Sequence, residues 1–228
     1  MIYAIADLHL SLDSDGRLAK PMDVFGGRWE NHHEKISENW KKIVSDEDTV
    51  ILTGDFSWAM RSFENDFKFL TALPGKKILV RGNHDYWWNA TTRLNELDEN
   101  VFFLQNNFCR IEGFHICGTR GWLCPEDSGF EPSDQKIYNR EVTRFKNSLD
   151  MAMGDGAKDI IACLHYPPGI GNKKSGFVSL IENYPVRKVV FGHLHGDDAK
   201  HYPLKSTDKT EFYLTSADFL NFCPVKIN

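Results

Sequence analysis

The chain has 228 residues, 41% of them hydrophobic and 26% charged, with a formal net charge of -5. That length suits one α/β domain, residues 1–228, with a sizeable core, and the mild acidity excludes a general attraction to nucleic acid or anionic membranes. No apolar run approaches the ~20 residues of a bilayer-spanning helix, and the first residues carry no basic leader. The five cysteines include no C-x-x-C pair, which argues against a disulfide framework, so a cytoplasmic location is expected.

In chain order, residues 2–6 read as a first strand running into Asp7, and residues 49–52 as a second running into Gly54-Asp55. Residues 77–80, 160–164 and 189–191 read likewise, before Gly82-Asn83-His84, His165 and Gly192-His193. Such nearly continuous β-branched runs suit strands buried on both faces. Helices are predicted over 34–44, 63–73, 91–99 and 138–153, with further strands within 101–118 and 211–215. Alternating strands and helices imply a layered α/β fold, whose strand ends form the edge where such folds bind ligands. Residues 11–33, 120–136 and 167–176 read as loops, rich in Gly, Pro, Asp or aromatics.

Each predicted strand end carries side chains able to hold a metal: Asp7, His9, Asp55, Asn83, His165, His193 and His195. Mixed oxygen and imidazole donors suit Mn²⁺, Fe or Zn²⁺ better than Mg²⁺ or Ca²⁺, and two Mn²⁺ ions are the expected cofactors. Strand alternation points residues i and i+2 the same way, which would bring Asp7 and His9 together, and likewise His193 and His195. A carboxylate such as Asp55 can bridge two cations, which would clamp phosphoryl oxygens and activate a water or hydroxide as nucleophile. His84 is left as the catalytic group near the leaving oxygen, with Asp85 placed to orient it. A lone D-x-H or H-x-H pair arises by chance; five of the nine histidines falling in order at strand ends do not read that way.

In Asp7-Leu8-His9, Gly54-Asp55, Gly82-Asn83-His84-Asp85, His165 and Gly192-His193-Leu194-His195, the chain resembles the calcineurin-like metallophosphoesterase superfamily over residues 1–216. The resemblance implies a four-layer sandwich of two mixed β-sheets flanked by helices. It also implies that Asp7, His9 and His195 hold one metal, that Asn83, His165 and His193 hold the other, and that Asp55 bridges them. His84 matches the catalytic histidine. The family's usual GD-x-x-D is here Gly54-Asp55-Phe56-Ser57-Trp58, and GNH is followed by Asp85, which argues against a phosphoprotein phosphatase.

The expected substrate is therefore a phosphomonoester or phosphodiester of a small molecule or nucleotide. Trp58 and Trp87 are candidates for an aromatic entrance, and Arg120 for a phosphate contact; core packing and an ordinary ion pair are the competing roles. Arg61, Lys173 and Lys174 are weaker basic candidates. His32 and His33 read as surface residues. A non-catalytic metal-binding interaction module of the same fold is the alternative function; loss of His84 or of a ligand would mark it, and neither is seen.

Overall fold

The short β-branched runs form two five-stranded sheets in a computed structural model that describes residues 1–12, 22–60, 62–169, 175–202 and 206–228. In the first sheet β1 (Ile2–Ile5), β2 (Thr49–Thr53), β3 (Lys76–Val80) and β4 (Val101–Leu104) run parallel. The second comprises β5 (Phe108–Ile111), β6 (Phe114–Thr119), β7 (Ile160–Leu164), β8 (Val186–Phe191) and β9 (Glu211–Leu214). There β5 is antiparallel to β6 and the others are parallel. The strand β10 (Val225–Lys226) closes the free edge of β1 antiparallel, so both sheets are mixed.

Alternation along each strand serves two cores. Ile2, Ala4, Ile51 and Ile78 of the first sheet meet Ile116, Ile161, Cys163 and Val190 of the second in one buried layer. The opposite faces take helices. Tyr3, Ile5, Val50 and Leu52 pack under Ile36 and Trp40 of α1 (His32–Ile43) and Leu70 of α2 (Glu64–Thr71). Ala162, Leu164, Val189 and Phe191 pack under Phe145 and Leu149 of α4 (Asp134–Gly154) and Phe177 of α5 (Gly176–Asn183). The result is the expected four-layer α/β sandwich. Trp40 is fully buried and donates its indole N–H to the Pro74 carbonyl at 2.9 Å, so truncating it to alanine would cost about 3–5 kcal/mol.

Several elements differ from the sequence reading. The helix expected over 91–99 is only α3 (Thr91–Leu94), because the Asn95 side chain accepts the Phe103 N–H and turns the chain into β4. The 120–136 loop ends early at the start of α4, and the Pro/Gly-rich loop ends at Ser175, whose hydroxyl accepts the Val178 N–H and caps α5. A short helix, α6 (Gly196–His201), follows His195. His32 is not a surface residue. It is buried in the first turn of α1, with Nδ1 3.1 Å from the Trp29 carbonyl. No helix among the described residues is long and apolar enough to cross a membrane. Arg61, Lys173 and Lys174 lie outside the described residues.

Candidate metal centre

Five parallel strands deliver the site. Asp7 follows β1, Asp55 follows β2 and Asn83 follows β3, while His165 follows β7 and His193 follows β8, so both sheets contribute at one shared edge. Strand alternation does not bring the paired residues together. Asp7 (φ 57°), His9 (φ 47°), Asp55 (φ 52°) and His193 (φ 73°) all lie past their strands in the left-handed region. That conformation costs a non-glycine residue on the order of 1–3 kcal/mol, and it persists only where surroundings over-determine it. Here they do: Asp7 and His9 donate their backbone N–H groups to the carbonyls of Gly54 and Asp55, each at 2.9 Å, and His193 donates its own to Asp7 Oδ2 at 2.9 Å. Gly192 permits this approach, since a Cβ there would lie 2.5 Å from Asp7 Oδ2.

Asp7, Asp55, His165 and His195 each have one side-chain atom tied by a hydrogen bond and another turned toward the cluster. Asp55 Oδ1 accepts the His84 backbone N–H at 2.8 Å, and its Oδ2 lies 3.5 Å from His165 Nε2, 3.9 Å from His9 Nε2 and 4.0 Å from His84 Nε2. His165 donates Nδ1–H to the Thr53 carbonyl at 2.9 Å, which leaves Nε2 as a lone-pair donor 2.7 Å from Asn83 Oδ1. His9 Nε2 and His195 Nε2 are 3.5 Å apart, and Asp7 Oδ1 is 3.9 Å from His195 Nε2. Ligand atoms of Asp7, His9 and His195 all lie within 4.8 Å of one another, as do those of Asp7, Asp55 and His165. The His193 ring stands 5.0 Å from that of His165.

The electrostatics of this cluster suit cations. Burial holds His9, His165 and His193 down to about 3, so they are neutral lone-pair donors at physiological pH. Burial also pushes the Asp7 carboxyl up to about 7, with Asp55 adding to the rise. Asp7 Oδ1 is buried with no hydrogen-bond partner. A buried, unpartnered carboxylate oxygen among neutral imidazoles costs several kcal/mol unless a cation neutralises it, so the donor set fits bound divalent metal.

Other residues of the sequence reading fall differently. Trp58 is at the site, its ring stacked 5.0 Å from that of His9 and tilted at 45° to that of His84, 4.2 Å away. Trp87 is only 3% exposed and packs on Phe63, so it lines no entrance. Arg120 has an 11% exposed side chain, with Nη2 3.8 Å from the buried Glu141 carboxylate and its guanidinium over the Trp122 ring, an ion-pair arrangement. Asp85 does not reach for His84 but accepts the backbone N–H groups of Gly82 (2.7 Å), Phe56 (2.9 Å), Asp55 (3.0 Å) and Ser57 (3.2 Å), which moulds the Asp55 loop.

One residue escaped sequence reasoning. Asp218 accepts the Nδ1–H of His195 at 2.8 Å and the Gly196 N–H at 3.1 Å. Burial opposes protonation of His195, yet the Asp218 hydrogen bond and the Asp7 charge lift its pKa above the ordinary imidazole value. The available signal was positional: Thr215-Ser216-Ala217-Asp218 follows β9, a sixth polar strand end at the same edge.

Two mixed sheets bearing His, Asp and Asn at their shared edge define a metallophosphoesterase-type fold and site. The family model described as calcineurin-like phosphoesterase matches residues 1–197, and the chain belongs to that family. It is similar to an uncharacterized protein of Methanocaldococcus jannaschii, 25% identical over 122 residues, which cover 54% of this chain and 65% of that protein, a little under two thirds of its length. Among solved structures, a phosphopantetheinyl hydrolase from Mycobacterium tuberculosis aligns over 100% of this chain and 96% of its own, at 16% identity and a TM-score of 0.52. A protein of Thermus thermophilus aligns over 85% of this chain and 81% of its own, at 15% identity and a TM-score of 0.55. At such identities the likeness is one of fold.

Proposed function

We propose that the chain is a single-domain, cytoplasmic, dinuclear metal-dependent phosphohydrolase that cleaves a phosphomonoester or phosphodiester of a small molecule or nucleotide. The observation that carries the reading is Asp7 Oδ1, buried and without a hydrogen-bond partner, beside the ring nitrogens of the candidate ligands His9 and His195. In this reading Asp7, His9 and His195 hold one ion, Asn83, His165 and His193 the other, and Asp55 is shared. Two divalent ions, with Mn²⁺ expected and Fe or Zn²⁺ as alternatives, supply Lewis acidity toward phosphoryl oxygens and lower the pKa of water enough to furnish a nucleophile.

The chain's own groups do the rest. His84, with a 33% exposed side chain and Nε2 4.0 Å from Asp55 Oδ2, faces both the ligand cluster and solvent, as a proton donor to a leaving oxygen must. Trp58 limits the swing of that ring. Asp85 acts at one remove, by holding the loop that presents Asp55.

The test is to purify the protein without chelator, measure metals per chain by elemental analysis, and assay bis-p-nitrophenyl phosphate and p-nitrophenyl phosphate with added Mn²⁺. Two transition-metal ions with hydrolysis of either ester support the reading, and the relative rates separate diesterase from monoesterase. Bound metal with no hydrolysis of either would favour the non-catalytic metal-binding module.

A further inference from the structure

Arg81, Gln105 and Arg120 are each the first residue past a strand, β3, β4 and β6 in turn, and each carries a buried N–H donor without an acceptor: Arg81 Nε, Gln105 Nε2 and Arg120 Nε. The three strand ends are neighbours. Val80 and Leu104 are the last paired residues of β3 and β4, and a Cβ on Gly118 of β6 would lie 3.0 Å from Leu104 Cδ2. The place adjoins the metal centre, since Arg81 precedes Gly82-Asn83 and the Arg120 carbonyl accepts the N–H groups of His165 and Tyr166 at 2.9 and 3.0 Å. Native structures leave few buried donors unmatched, so three at adjoining strand ends call for an acceptor.

Water would satisfy the donors but not the charge. Among the described residues, Asp85, Glu141, Arg144 and Arg140 are the charges that act most strongly on Arg81, and Arg120 feels Glu141, Arg81 and Arg140. Four guanidiniums therefore share two carboxylates, and both carboxylates are engaged. Asp85 accepts four backbone N–H groups and the Trp87 indole N–H. Glu141 accepts the Thr119 hydroxyl on Oε2, while its Oε1 is divided among Arg144 Nη1 at 2.7 Å, Arg140 Nε at 3.4 Å and Arg120 Nη2 at 3.8 Å. The side chains of Arg140 and Arg144 are 52% and 32% exposed, which opens this cluster to solvent on the α4 side. A phosphate brings both negative charge and several acceptor oxygens, in a geometry that guanidinium forks match.

We propose that Arg81, Gln105 and Arg120 form an anion site beside the metal centre, for a phosphate group beyond the one that the metals would hold. Only the link to a substrate rests on the phosphoesterase reading; the site itself is testable without metal. Calorimetric titration of the metal-stripped full chain with inorganic phosphate, at an ionic strength held constant with chloride, should show one phosphate bound per chain. Arg81→Gln should weaken that binding about tenfold. Gln105→Glu keeps an acceptor for the Trp88 indole N–H, which Gln105 Oε1 accepts at 3.2 Å, and sets a carboxylate among the arginines. It should abolish phosphate binding while leaving the urea midpoint at or above that of the native chain. Arg187→Gln, at a distant exposed ion pair with Asp159, should bind phosphate like the native chain.

No phosphate binding, binding that survives both Arg81→Gln and Gln105→Glu, or an equal loss in Arg187→Gln would overturn the proposal. In the metal-loaded enzyme, adenosine 5′-phosphate and adenosine 3′,5′-bisphosphate separate the two sources of the anion. If it is a second phosphate of the substrate, kcat/KM should be about tenfold higher for the bisphosphate, and Arg81→Gln should erase the difference. If it is free phosphate, the two esters should react alike, and added phosphate should change the rate of the native chain but not that of Arg81→Gln. An active enzyme with neither response would overturn the assignment to this reaction. Phosphate binding without hydrolysis of either ester would sink the phosphoesterase reading and leave the anion site standing.

Discussion

His195 donates Nδ1–H to Asp218 Oδ1 at 2.8 Å while its Nε2 faces Asp7 Oδ1 at 3.9 Å, so a carboxylate fixes the tautomer of an imidazole at the centre of the site. Partners of this kind raise ligand basicity and hold ring orientation, and their loss typically costs about 10–100-fold in metal affinity. Asp218→Asn should weaken metal binding by that factor with little change in the urea midpoint of the metal-free chain. Competition against a chromogenic chelator measures it, and unchanged affinity would refute the pairing's role.

With the proton-donor role proposed for it, His84→Ala should keep the native metal content and lose about 10²–10⁴-fold in turnover, since such a group acts only as charge develops on the leaving oxygen. Elemental analysis beside a steady-state assay separates the two effects. A variant with native turnover would remove His84 from the chemistry.

Asp55→Ala should bind less than half the native metal, since Asp55 Oδ2 lies within reach of His9 and His165 together, at 3.9 and 3.5 Å. A full complement of metal in that variant would rule out a bridging carboxylate.

Asp85→Asn would set an amide donor among the N–H groups of Asp55, Phe56, Ser57 and Gly82. Leaving buried donors unmatched costs on the order of 3 kcal/mol, so the urea midpoint of the metal-free protein should fall clearly. A midpoint equal to that of the native chain would show that the loop does not depend on this carboxylate.

Acid should destabilise the metal-free protein. His9, His165 and His193 are held down to about 3 in the fold against 6.5 when unfolded, so between those values the unfolded chain takes up protons that the folded chain refuses. Asp7 and Asp85, pushed up to about 7 mainly by burial, act in the opposite sense between about 4 and 7, as the folded chain keeps their protons. Three imidazoles outweigh two carboxyls around pH 5, so stability rises with pH from about 4 and levels off as the two effects cancel near pH 6.5. Urea unfolding at pH 5 and pH 6.5 checks it; equal stability at the two would contradict the balance.

The strands and the ligand blocks were legible because buried parallel strands announce themselves as short β-branched runs, and because each ends in a Gly, Asp, Asn or His that such a run cannot otherwise accommodate. The geometry of the D-x-H and H-x-H pairs was not. Asp7, His9 and His193 adopt positive φ, which no local preference of Asp or His dictates and which contacts with distant loops impose. Asp85 illustrates the same limit: adjacency to His84 suggested a partner, whereas its oxygens reach the loop 28 to 30 positions earlier. Asp218 depends on a partner 23 positions earlier and β10 on pairing with the opposite end of the chain, and two-residue β10 leaves no periodicity to read.

His9 and His195 meet across 186 positions, and the residue that orients His195 lies 23 positions further on. During synthesis, then, the first strands and their acidic loops emerge long before the histidines that complete the donor set. A ribosome-bound chain shorter than residue 165 carries only four of the seven candidate ligands, and one shorter than residue 218 has no Asp218 to orient His195. The complete donor set, with His195 oriented, therefore exists only once Asp218 has been made, and a product terminated before it lacks that orientation.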